Sequence, residues 1–149
     1  MAQKKYGLKV VNVRLVKERT IYSAAPVQSP SVAMEVIQGF MSDIDREAAG
    51  VLCIDSAGNV LNVHFCSVGA LNYCIMDPKQ ILKAALLSNA ASVLVFHNHP
   101  SGNVTPSRED VEQTKKLKEA CKVMAVNFLD HMILGFNGTF YSFKEHNML

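Results

Sequence analysis

The segment Ser92-Val93-Leu94-Val95-Phe96 constrains the fold of this chain more than any other. It is a short continuous apolar run with β-branched and aromatic residues, which reads as a buried strand. His97-Asn98-His99-Pro100-Ser101-Gly102 follows at once and is expected to end it. Thr105 is then expected to cap a helix running from Pro106 to about Cys121, and residues 126–134 read as the next strand. The same alternation of elements fills the rest of the chain. Residues 10–16 read as a strand and residues 22–30 as a loop. Ser29 caps a helix that opens on Pro30 and runs to about Asp43, with Val32, Val36, Ile37 and Phe40 on one face. Residues 50–55 and 60–67 pair as a hairpin across the turn Asp55-Ser56-Ala57-Gly58-Asn59. Asp77 caps a helix from Pro78 through Leu87, and residues 139–143 form the last strand after the turn Asn137-Gly138. Helices interspersed with strands in one chain imply an α/β domain, a mixed β-sheet flanked by helices. With no internal repeat and no long linker, residues 30–149 are expected to form one domain, preceded by a strand-and-loop extension over residues 1–29.

The apolar fraction of 49% is ample for one core in a chain of 149 residues. The formal charge of +2, from 15 basic and 13 acidic side chains, gives no support for a dedicated DNA-binding surface. Lys115, Lys116, Lys118 and Lys122 cluster on one expected helix, but Glu112 and Glu119 lie among them, the mark of a solvated face. Cys53, Cys66, Cys74 and Cys121 form no Cys-x-x-Cys pair and read as thiols in a reducing compartment. Lys9, Asn12 and Arg14 interrupt the apolar residues that follow the basic start, so no signal sequence is expected. No run is long enough to cross a membrane, and the expected location is the cytoplasm.

The loop after the Ser92–Phe96 strand holds two histidines, His97 and His99, and Pro100-Ser101-Gly102 is expected to supply the turn that lets them converge. Asp110 lies early in the following helix, which the chain carries back over the strand end. Two imidazole nitrogens and one carboxylate, with a fourth position for water, describe a catalytic zinc site; a closed structural site uses four protein ligands. An acid in a first helical turn is also favoured by the helix dipole alone. Ser107 can cap the helix, donate a hydrogen bond near the open position, or do both. Such a site needs a general base. Glu35, Asp43, Asp45, Glu47 and Asp55 are the acids distant in sequence; Glu47, just before the strand at residues 50–55, is favoured, though position alone separates it poorly from Asp45.

The spacing from His97-Asn98-His99-Pro100 through Ser107 to Asp110 resembles the His-x-His-x7-Ser-x2-Asp pattern of the JAMM (JAB1/MPN/Mov34) metalloproteases. The likeness is greater still to the bacterial RadC family. It is carried by residues 97–102, by Thr105-Pro106-Ser107-Arg108-Glu109-Asp110, by residues 129–135, by Ser67-Val68-Gly69-Ala70-Leu71-Asn72 and by Tyr141-Ser142-Phe143. It covers roughly Pro30 to Leu149. The resemblance implies a cytidine-deaminase-like JAB/MPN fold and a zinc-dependent hydrolase with one Zn2+ per chain, acting on a peptide or isopeptide bond of a protein or peptide substrate. It places the metal on His97, His99 and Asp110, the serine on Ser107 and the general base on Glu47. RadC proteins often carry a helix-hairpin-helix region ahead of this domain, which residues 1–29 do not provide. Short forms often sit on mobile elements. Asp130-His131 is shared with the family as well, and a role orienting a ligand through a hydrogen bond is expected rather than direct metal binding. His64 and His146 carry no partner signature.

Two other readings follow from the same residues. A nucleobase deaminase wants His-x-Glu and a Pro-Cys-x-x-Cys pair, neither of which is present. A non-catalytic module could keep the zinc for stability and bind a partner in DNA repair or on a mobile element; intact Glu47 and Ser107 argue against it, since a purely structural site has no need for a base.

Overall fold

The computed structural model describes residues 7–24, 26, 28–42, 44–69 and 76–149. In chain order the elements are α1 (Pro30–Met41), β1 (Ala48–Ile54), β2 (Val60–Val68), α2 (Pro78–Leu87), β3 (Ser92–Asn98), α3 (Arg108–Val123), β4 (Asn127–Leu134) and β5 (Phe140–Ser142). The strands form one sheet in the order β2-β1-β3-β4-β5. Only β3 and β4 run parallel; the other neighbours are antiparallel. A parallel pair needs a crossover, and α3 is that crossover. It starts beyond the C-terminal end of β3, the edge where open α/β sheets place their ligands, and carries the chain back to where Asn127 pairs with Ser92.

Strand alternation sorts the core into two layers. Val93 and Val95 of β3, with Ala49, Val51 and Cys53 of β1, face α2 and α3 and pack against Ile81, Ala85, Leu117 and Cys121. Leu94 and Phe96, with Ala48, Leu52 and Ile54, face α1 and meet Ala33, Met34, Ile37 and Met41. β1 is therefore buried along its whole length. Its Gly50 is required by close approach: a Cβ there would lie 2.5 Å from Phe96 Cζ and 2.7 Å from the His64 carbonyl oxygen.

Local capping chemistry defines the first two helices as expected. Ser29 accepts from the Val32 N–H with Pro30 at the first position of α1, and Asp77 does the same for Lys79 ahead of Pro78 in α2. Asn137 and Gly138 both hold positive φ, 52° and 79°, and close the β4–β5 hairpin.

Four expectations need correction. Residues 10–16 form no strand, and Val10, Val11, Val13 and Val16 are largely exposed, because no neighbouring strand offers them ladder partners. β3 does not stop at Phe96; His97 and Asn98 continue it, since Ala49 of β1 and Ile133 and Leu134 of β4 pair with them. The cap of α3 is Ser107, not Thr105, and the helix begins at Arg108. The buried face of α1 is Ala33, Met34, Ile37 and Met41, with Val32, Val36 and Phe40 only half-buried along its flank. Small Ala33 and the flexible methionines let this face approach the sheet closely.

Cys53 and Cys121 are buried free thiols, Cys66 is half-buried, and burial pushes Cys121 up to about 11. Cys74 and the stretch Ala70-Leu71-Asn72 fall outside the described residues, as does Asp43. The lysines of α3 are exposed. Among the described residues no helix is long and apolar enough to cross a membrane.

Candidate metal centre

His97 and His99 stand two positions apart, so an extended backbone points both side chains to one face. That face is the one already occupied by Val93 and Val95, toward α3. The histidines converge by strand alternation, and the turn at Pro100-Ser101-Gly102 is not what brings them together. The turn instead redirects the chain toward α3: Gly102 donates its N–H to the His99 carbonyl at 2.9 Å and holds a φ of 79° beneath the Phe136 ring. Asp110 then arrives on the first turn of α3. Its Oδ2 accepts from the Ser107 N–H at 2.7 Å while Ser107 Oγ accepts from the Asp110 N–H at 3.1 Å, a reciprocal capping box.

The three side chains meet. His97 Nε2 lies 3.1 Å from His99 Nε2 and 3.2 Å from Asp110 Oδ1, and His99 Nε2 lies 3.5 Å from Asp110 Oδ2. A tetrahedral ion with bonds of about 2.0–2.1 Å separates its ligand atoms by about 3.3 Å. The three observed separations fall around that edge length, so the donor set fits one metal ion, and two nitrogens with one carboxylate oxygen suit a divalent cation. Among the described residues no thiol belongs to the group, unlike the His and Cys donor set of the deaminases.

Each donor is tethered by its other end. His99 Nδ1 is 2.6 Å from the Asn103 carbonyl oxygen, which only accepts, so the imidazole donates there and its neutral form, the one that binds metal, has its lone pair on Nε2. His97 Nδ1 is 2.8 Å from Nε2 of His131, a fully buried ring stacked on Phe143 at 4.7 Å. His131 thus hydrogen-bonds the ring of His97, a candidate donor. Asp130 points elsewhere and gathers the Ser142 hydroxyl and the N–H groups of His131 and Lys144. His146 stacks on Tyr141 away from the centre.

The charges are mutually supporting. Burial opposes ionisation of Asp110, but hydrogen bonds from His97 and His99 outweigh it and hold the carboxyl well below the usual carboxylate range. The hydrogen bond to Asp110 is the largest influence raising His99, and the charge of Glu47 adds to it. Desolvation, reinforced by the neighbouring His97, keeps His131 neutral.

Glu47 directly precedes β1. Ala49 opposes His97 in the sheet, so two residues earlier on the same face Glu47 is brought opposite His99. Asn98, whose side chain takes the other face, grips the backbone on both sides of Glu47. Its Oδ1 accepts from the Ala48 N–H at 2.7 Å and its Nδ2 donates to the Arg46 carbonyl at 3.1 Å. The competing acids among the described residues are elsewhere. Asp45 is exposed and paired with Arg46, Glu35 is exposed on α1 across the sheet, and Asp55 serves the far hairpin turn.

Residues 27–148 match the model of the RadC-like JAB domain. The chain belongs to the RadC-like JAB domain family. A UPF0758 protein of Syntrophomonas wolfei is 40% identical over 130 residues, covering 87% of this chain and 54% of that protein. One from Rubrobacter xylanophilus is 37% identical over 123 residues, 83% of this chain and 53% of its own length. A Clostridium beijerinckii relative is 32% identical over 131 residues, 88% of this chain and 57% of the relative. The chain thus spans about half the length of the curated relatives it matches.

Two site residues escaped the reading of the sequence. Asn98 carries no sequence signal of its own between the two histidines. Thr114 has its hydroxyl 2.6 Å from His131 Nδ1 and is buried. The inward spacing Asp110, Thr114, Leu117, Cys121 is the signal that could have exposed Thr114: it puts a poor helix former on the buried stripe of α3, where only a polar partner justifies it.

Proposed function

We propose that this domain is a JAMM-type zinc hydrolase that cleaves an amide bond, in a peptide or isopeptide linkage of a protein substrate. The observation that carries the reading is the set of donor separations, 3.1, 3.2 and 3.5 Å, together with the register of β1 on β3 that brings Glu47 opposite His99. Three protein donors leave a corner vacant for reactants, which a structural site does not. His97, His99 and Asp110 would hold the ion, and zinc there supplies Lewis acidity, lowering the pKa of a water to about 7 and polarising the scissile carbonyl. Glu47 accepts the proton of the attacking water and delivers it to the leaving nitrogen, so the C–N bond breaks as a neutral amine departs. Ser107 Oγ accepts from the Asp110 N–H, which leaves its own O–H free to donate to the oxygen that gains charge as the carbonyl is attacked. The near-balanced charge of the chain favours a protein or peptide partner over DNA.

The decisive comparison is wild type against Glu47→Gln, each assayed for zinc content, thermal stability and turnover of a peptide library and an isopeptide-linked fluorogenic lysine substrate. Turnover by wild type and its loss in a variant that keeps its zinc supports the hydrolase. Zinc retained by both with turnover by neither is the result a non-catalytic binding module would give.

A further inference from the structure

We infer that Thr114 is a positioning residue that selects the tautomer of His97, through His131, and so prepares Nε2 of His97 to bind metal. The inference rests on the metal reading proposed above. The Thr114 hydroxyl donates to the Asp110 backbone carbonyl at 2.6 Å, the oxygen four residues earlier in α3. A carbonyl oxygen only accepts, so this bond uses the single hydroxyl proton and leaves the Thr114 oxygen as an acceptor. His131 Nδ1, 2.6 Å away, must then carry a proton and donate. A neutral imidazole protonated at Nδ1 has a bare Nε2, which faces His97 Nδ1 at 2.8 Å. His97 Nδ1 therefore donates, so when the ring gives up its second proton to take a metal the lone pair is on Nε2, facing His99 and Asp110.

The direction of every bond in this series is set by the acceptor at its end. That end is the peptide group of Asp110, itself a donor residue of the centre. One helical turn of α3 thus supplies the carboxylate and specifies the imidazole that binds beside it. Thr114 and His131 are 1% and 0% exposed, so no water competes for these bonds. Supporting hydrogen bonds of this kind typically change metal affinity by about 10- to 100-fold.

The test compares Thr114→Val with Thr114→Ser. Zinc affinity is measured by chelator competition, and melting of the metal-free proteins confirms that each is folded. The valine variant is expected to bind zinc about 10- to 100-fold more weakly, and the serine variant, which keeps the hydroxyl, to recover wild-type affinity. A folded valine variant with wild-type affinity, or a serine variant as weak as valine, overturns the inference. Independently, nitrogen NMR of the metal-free wild type reads the tautomers directly. His131 protonated at Nδ1 and bare at Nε2 supports the assignment, and the reverse ends it. If wild type binds no zinc the metal reading fails, while the NMR result still decides the role of Thr114; it decides likewise if the valine variant does not fold.

Discussion

Replacing Asn98 by alanine should cost far more stability than its place between two site histidines suggests. The side chain makes two hydrogen bonds, to the Ala48 N–H and to the Arg46 carbonyl. Ala48 is fully buried, so its N–H finds no substitute, and an orphaned buried donor costs about 1–3 kcal/mol. Arg46 is exposed and water can replace the second bond, for about 0.5–1.5 kcal/mol. Together these give about 2–4 kcal/mol. In a domain of this size each kcal/mol lowers Tm by about 2–4 °C, for a total of roughly 5–15 °C. Thermal unfolding followed by circular dichroism, with chelator present throughout, measures this without interference from metal. Asn62→Ala is the control, because it removes one hydrogen bond to Ser88, whose hydroxyl still donates to the Ala84 carbonyl. If Asn98→Ala melts no lower than Asn62→Ala, the clamp on β1 is not what the distances imply. Were the clamp real, the variant would also lose turnover while keeping zinc, since it frees the backbone around Glu47 and leaves the donors in place.

Other outcomes follow from the same geometry. Zinc at 100 times its Kd should stabilise the wild type by about 2.7 kcal/mol, and His99→Ala should lose that shift in a thermal melt. Ser107→Ala removes half of the capping box and should cost about 1 kcal/mol in chemical denaturation, with weaker zinc binding as Asp110 is released. Apparent zinc affinity should rise with pH through and above the ordinary histidine value of 6.5, because Asp110 stays ionised while a proton held on His99 competes with the metal; competition titrations between about pH 5.5 and 8 that show no slope contradict this. Ala125 ends α3 in the left-handed region at a φ of 55°, so Ala125→Gly should raise Tm by a few degrees, about 1 kcal/mol, in calorimetry.

Legibility in the sequence tracked how local each determinant is. Ser29-Pro30 and Asp77-Pro78 announce α1 and α2 because a cap acts within three residues of itself. The donors His97, His99 and Asp110 were legible because they occupy one short stretch with a distinctive spacing. Residues 10–16 misled for the opposite reason: their alternation suits a strand, but a strand exists only against a neighbour. The length of β3 depended likewise on Ala49, Ile133 and Leu134. Thr105 and Ser107 are both competent caps, and Ser107 prevails because only it can exchange bonds with Asp110. His131 and Thr114, 17 residues apart, meet through the packing of α3 on β4, which no short window of sequence reveals.

The three donors come from a single contiguous piece of chain, β3, its loop and the first turn of α3, whereas the acid at 47 arrives on the same face from the neighbouring strand β1. On the proposed reading, capture of an ion and use of it are thereby assigned to separate parts of the polypeptide. A lineage could lose its chemistry through one substitution before β1 and keep a metallated, stable domain, free to serve as a docking platform. Inactive descendants of this architecture should accordingly be recognisable by an altered residue 47 above an unchanged 97–110 segment.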